Sequence, residues 1–178
     1  KIRAAALALA LSTLATSAFA LEPGTDGWYH TGDATRAKKV VSVNVNVYAI
    51  RHDMKCVPTL THQGVIDADC DKKFTVRMLR DVDHEKIVGA LRDSFAKNNY
   101  SDAGKINQML GAFTSELKEG SAWTISYNSG AKTTTIWVQG GGSATIAGED
   151  FMKGVWRIWF GNIDPASISD QLMANLKK

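Results

Sequence analysis

The order of secondary-structure signals predicts an α+β fold, an antiparallel sheet covered by helices on one side. Two patterns carry that expectation. Trp123, Ile125 and Tyr127 alternate with Thr124, Ser126 and Asn128, the period-2 signature of a half-buried strand. Ile87, Leu91 and Phe95, joined by Val88, instead repeat at helical spacing. Read along the chain, such segments run strand, strand, helix, helix, three strands, helix, helix. No composition break divides them, so one domain is expected over residues 21–178.

The first twenty residues read as an address. Lys1 and Arg3 form a short basic start, Ala4 to Leu14 is apolar and uncharged, and Ala18-Phe19-Ala20 fits a small-x-small cleavage site. The apolar run is too short to span a bilayer comfortably. A signal peptide over residues 1–20 is expected, with a periplasmic or secreted mature chain that keeps no stable membrane anchor after cleavage. The formal net charge of +3 includes Lys1 and Arg3, so the remainder is close to neutral. With no basic patch interleaved with aromatics, no nucleic-acid partner is expected.

The first element after that segment is turn-rich, because LEPGTDGWYHTGDATR carries Pro23, Gly24, Gly27 and Gly32. KKVVSVNVNVYAIR then reads as a strand. Val41, Val43, Val45, Val47 and Ala49 form its apolar face, opposite Ser42, Asn44, Asn46 and Tyr48. Lys73 to Arg80 reads as the second strand. Asp83 is placed to cap a helix carrying the Ile87–Phe95 stripe, and Ser101 or Asp102 starts a second helix with Ile106, Leu110, Phe113 and Leu117 inward. Gly120 suits the left-handed residue after it. Thr133 to Val138 follows the Asn128-Ser129-Gly130 turn, and Ala144 to Ile146 is a third short strand of this group. Glu149 and Asp150 open a helix that is apolar on two faces through Phe151, Met152, Val155, Trp156, Ile158 and Trp159. Asp164-Pro165 opens a last helix with Ile168, Leu172 and Leu176 inward.

Cys56 and Cys70 bracket a long connection between the first two strands. In an oxidising compartment an even pair at this spacing reads as a disulfide. A metal reading would add His52 and His62. The resulting gaps of three, five and seven residues match no common zinc pattern, so no metal is expected. No cofactor is expected either: Cys-x-x-Cys-His is absent, and Gly140-Gly141-Gly142 is followed by a strand pattern rather than a phosphate-binding helix. No Gly-x-Ser-x-Gly elbow marks a hydrolase. His30 and His84 read as surface groups.

Lys118-Glu119-Gly120, the two strands after it, Gly148-Glu149-Asp150-Phe151 and Ile158-Trp159-Phe160-Gly161 form an ordered series. Arg80-Asp81-Val82-Asp83 before the first helix adds to it. The series resembles the bacterial chalcone isomerase-like proteins over roughly Gly27 to Leu176. The resemblance implies an open-faced β-sandwich with a helical layer and a ligand held between sheet and helices. In that superfamily an arginine just before the first long strand grips an anion, and in TGDATRAKK the matching residue is Arg36. A guanidinium suits the task because its planar fork pairs with oxyanions and stays charged. The next strand position with a role in the family maps to Asn44 or Tyr48.

The expected ligand is therefore a small amphipathic or hydrophobic molecule, such as a fatty acid, bound by Arg36, Asn44 and Tyr48 against a wall from Phe151, Trp156 and Trp159. The alternative is an intramolecular lyase closing a chalcone-like substrate, in which the arginine would stabilise phenolate and enolate. The helical Tyr/Asn pair of the plant isomerases finds no match, since Asn98, Asn99 and Tyr100 lie at a helix end in different spacing. No catalytic residue is assigned.

Overall fold

A computed structural model describes residues 21–177. The expected signal segment lies outside the described residues. Six antiparallel strands, β1 (Tyr29–Val40), β2 (Val43–Met54), β3 (Lys72–Met78), β4 (Ala122–Asn128), β5 (Thr133–Val138) and β6 (Ser143–Ala147), form one sheet in sequence order. The helices are α1 (His62–Asp67), α2 (His84–Lys97), α3 (Ala103–Leu110), α4 (Glu149–Phe160) and α5 (Ser167–Leu172), with a final 3₁₀ turn at Ala174–Lys177. This is the expected open sheet with a helical layer.

Alternation sorts the strands into two faces. Val76, Trp123 and Val138 lie opposite one another across β3, β4 and β5, and so do Phe74, Ile125 and Ile136. All six are buried. The neighbouring rows, Thr75–Thr124–Trp137 and Lys73–Ser126–Thr135, face away from the core, and Trp137 is exposed. α4 packs on the inner face, where Phe74 meets Trp156 and Trp159 at ring-centroid distances of 5.0 and 4.6 Å. Its breadth of apolar side chains follows from that burial: eight of its residues are buried.

Five expectations need correction. Tyr29–Val40 is a full edge strand rather than a run of turns. Gly32 serves close packing there, because a Cβ would meet the Gln171 carbonyl oxygen at 2.1 Å where α5 crosses β1. The first valines of the expected strand do not form the core face: Val41 lies in the turn before β2 and Val43 at its start, both exposed, and the inward row is Tyr48, Ile50, His52 and Met54. The connection after β2 contains a helix, α1, whose N-terminus is capped by Thr61. The second of the central helices stops at Leu110; Phe113 and Leu117 are buried from the loop beyond it, Leu117 through a bridge to Val82. The last helix begins two residues after Pro165, at Ser167, and hands over to the 3₁₀ turn that carries Leu176. The Asp83 and Asp102 cap positions hold, and Asp102 accepts from the Lys105 amide at 3.0 Å.

Candidate functional site

The site begins with an irregularity in the edge hairpin. Arg36 on β1 pairs with Tyr48 on β2, and the next pair is Ala37 with Asn46, so Val47 is an extra residue. A bulge of this kind bends the strand and re-aims its side chains. It brings Val45, Val47 and Tyr48 to one side, where all three line a cleft with Arg36. The cleft has a volume of about 470 Å³, within the usual range for small-molecule sites. Its apolar wall comes from Val82, from Ile87 and Leu91 of α2, from Trp123 of β4, and from Ile158 and Trp159 of α4.

Its polar groups are short of partners. Among the described residues, three buried side-chain polar atoms make no hydrogen bond, and two belong to residues that line this cleft: Arg36 Nη1 and Trp123 Nε1. Buried donors are nearly always satisfied, so these two orphans set the surroundings of the cleft apart from the rest of the core. The Tyr48 hydroxyl accepts from Trp159 Nε1 at 3.1 Å. Burial pushes its pKa up, against that hydrogen bond and the Arg36 charge, which lower it. It therefore keeps its proton as a donor. Lys38, Arg80, Lys86 and Lys97 stand around the opening with Asp81 and Asp93. Asp81 is engaged by Lys118 and by the Glu119 amide, and Lys86 pairs with Asp83. The arrangement offers an oxyanion a guanidinium and a phenol above a largely apolar floor.

The other end of the same helix layer is closed. His52 is buried; its Nε2 accepts from Trp156 Nε1 at 2.9 Å, and its Nδ1 lies 2.6 Å from Thr31 Oγ1. Thr31 in turn donates to the Leu172 carbonyl at 2.8 Å. This chain requires a neutral imidazole with the proton on Nδ1. Burial, then the charges of Lys72 and His30, lower its pKa well below the ordinary value. Lys72 is buried beside it and donates to the Val65 and Ile66 carbonyls, both at 2.9 Å, with its ammonium 4.8 Å from the Trp156 ring centroid. Burial pushes the Lys72 pKa down to about 7. Cys56 and Cys70 form a disulfide with a Cα separation of 6.2 Å, closing the loop that carries α1.

Of the residues expected at the site, Arg36 and Tyr48 come together as cross-strand neighbours, though Arg36 lies within β1 and not ahead of the first strand. Asn44 does not join them. It pairs with Lys39 near the hairpin turn, is exposed, and lies outside the cleft lining. Of the expected apolar wall, Trp159 lines the cleft, whereas Phe151 and Trp156 are core residues away from it. Asn98 is spent on the Ser94 carbonyl and the Asn162 backbone, and Tyr100 donates to Asp150; neither lines the cleft. His30, read as a surface group, is bonded to Asp33 and Asp53. Sequence reasoning missed Trp123, whose place in a regular alternation reads as core. Only its unpaired indole N–H sets it apart.

The chain belongs to the chalcone isomerase-like family, whose sequence model matches residues 30–175. Among solved structures, it is similar to a fatty-acid binding protein of Arabidopsis thaliana. That match has 11% identity and a TM-score of 0.65, and covers 86% of this chain and 90% of the other. At that identity the likeness establishes the fold. No curated protein sequence matches.

Proposed function

We propose that this protein is a non-catalytic carrier or sensor of a small amphipathic anion, a fatty acid or a close analogue, held in the cleft between the β1–β2 hairpin, α2 and α4. The carboxylate sits between Arg36 Nη1 and the Tyr48 hydroxyl. The acyl chain lies along Val47, Val82, Ile87 and Trp159. The observation that carries this reading is the buried, unpartnered guanidinium nitrogen of Arg36 in a cleft whose wall is apolar and whose charged groups stand at the opening. An anionic ligand supplies the missing acceptor, and a charge-assisted bond of this kind contributes about 1.5–3 kcal/mol. The fatty-acid binding neighbour of the same fold supports the ligand class. Binding is favoured over ring-closing catalysis because α2 and α4 contribute no tyrosine or asparagine to the cleft lining. The Lys1–Ala20 pattern and the disulfide support an exported protein of a bacterial envelope, working in the periplasm or outside the cell.

Trp123 and Trp159 both line the cleft, so ligand entry should change tryptophan fluorescence. Titrating delipidated protein with long-chain fatty acids is expected to give saturable one-site binding. Arg36→Ala should weaken it by about ten- to a hundred-fold. Absence of saturable binding, or equal affinity in the variant, would rule the reading out. Loss of chalcone absorbance that depends on Arg36 would move the assignment to the lyase.

A further inference from the structure

The β1–β2 hairpin extends beyond the cleft and ends in an apolar tip. Val40 pairs with Val43, so Val41 and Ser42 form a two-residue turn. Val41 is 94% exposed and Val43 is 64% exposed. Val41 also sits at φ 57°, a left-handed conformation that β-branched residues adopt only at a cost. Two-residue hairpin turns ordinarily place Asn, Asp or Gly there. Neither hydration nor turn geometry accounts for a valine at this position.

The valine at 43 has a direction as well as an exposure. Alternation puts Val43 on the side of Val45, which lines the cleft together with Val47. An apolar row thus runs from the turn into the cavity. Leu79 is half-exposed beside it, with its amide on the Val47 carbonyl. The surroundings are basic on balance: Arg36, Lys38 and Lys39 lie on the hairpin with no acid between Arg36 and Asn46, and across the opening Arg80, Lys86 and Lys97 outnumber Asp81 and Asp93.

We propose that this tip docks the protein on an anionic lipid bilayer, with Val41 and Val43 entering the acyl boundary and Lys38 and Lys39 meeting the headgroups. Docked in this way, the cleft opens towards the membrane along the valine row, and an acyl chain can pass between bilayer and cavity without crossing water. The charge is complementary to such a surface, where each nearby lysine adds to binding. The shape fits too. A narrow apolar tip flanked by lysines suits shallow insertion with snorkelling cations, whereas a stable protein interface needs a broad patch on each partner. The role of the row rests on the cleft being an acyl-chain site; docking itself can be measured separately.

The experiment is flotation of the purified protein with vesicles of phosphatidylglycerol and phosphatidylcholine in equal parts, set against phosphatidylcholine alone. The protein is expected to float with the mixed vesicles and much less with the neutral ones. The double variant Val41→Asp/Val43→Asp should lower the partition coefficient by about ten-fold or more, and Lys39→Glu by about five-fold. All three positions lie outside the cleft lining, so both variants should keep the melting temperature and the affinity for soluble dodecanoate. No flotation of the unaltered protein, or equal flotation of the valine variant, overturns the docking. Self-association that the valine variant abolishes, without vesicle binding, overturns it in favour of a second copy. Flotation as expected with no dodecanoate binding would leave the docking standing and remove the cleft reading.

Discussion

Trp156 and Trp159 stand one turn apart on α4, and each donates its indole N–H to a residue on the inner face of β2, His52 and Tyr48 respectively. The two cross-links look alike, but their surroundings differ. Around His52, Thr31, Trp156 and Lys72 are all paired within the protein. Around Tyr48, Arg36 Nη1 and Trp123 Nε1 are not, and a cavity separates α2 from the edge hairpin. Burial of polar groups therefore does not separate the two ends; their satisfaction does. A closed network fixes the packing of α4 on the sheet, and an open one leaves donors for something that arrives.

The largest effect expected from breaking this contrast is at the closed end. His52→Ala removes an acceptor from the buried Trp156 indole and a partner from Thr31, and opens a cavity among Phe74, Trp156 and Phe160. Urea unfolding should show a loss of about 3–5 kcal/mol. Arg36→Ala, at the open end, should change the unfolding free energy by no more than about 0.5 kcal/mol. Equal losses at both positions would erase the distinction. Reduction of Cys56–Cys70 comes next. It frees the loop that carries α1, and α1 supplies the carbonyls that hold Lys72. In the chain-entropy view this costs about 3 kcal/mol. Ligand affinity should barely move, because the loop lies away from the cleft lining.

Much of the sheet was legible in the sequence, and the reason is regularity. β3, β4 and β5 alternate without a break, so the faces read from Trp123–Tyr127 are the faces observed. The edge hairpin was not legible. β1 carries Gly32 because α5 needs close approach, and a glycine kept for packing is indistinguishable from one kept for a turn. At Val47 the bulge breaks the parity of β2, separating Asn44 from Arg36 and Tyr48, which a regular strand would have kept together. The candidate site thus lies where local pattern fails. The departure that hid it also built it, by bringing Val45, Val47 and Tyr48 to one side.

A pH test sharpens the comparison at the closed end. Lys72 binds its proton less tightly when folded, with a pKa of about 7 against about 10.4 in the unfolded chain. Between those values the unfolded state holds more protons, so stability rises with pH. Measured against Lys72→Met, the unaltered protein should gain stability from about pH 7 to pH 10. His52 acts in the same sense at lower pH: its folded pKa is depressed, so its contribution is lost as pH falls below about 6.5. Denaturant midpoints that run parallel for Lys72→Met and the unaltered protein would mean that Lys72 is more hydrated than its contacts imply.

The smallest effect is also the most discriminating, because Tyr48 belongs to both ends of the comparison. Its oxygen accepts from Trp159, a structural bond, while its proton has no acceptor among the described residues. Tyr48→Phe removes both. Trp159 is fully buried, so its stranded N–H should lower stability by about 1 kcal/mol, well short of the His52→Ala loss. Affinity for a fatty acid should fall by about five-fold, because one neutral hydrogen bond is lost while the Arg36 pair remains. Adding Arg36→Ala should then do less than it does alone if both groups grip one carboxylate, since neighbours on a shared partner are not additive. Strict additivity in that double-mutant cycle would place the two residues on different parts of the ligand, with Arg36 alone at the acid group.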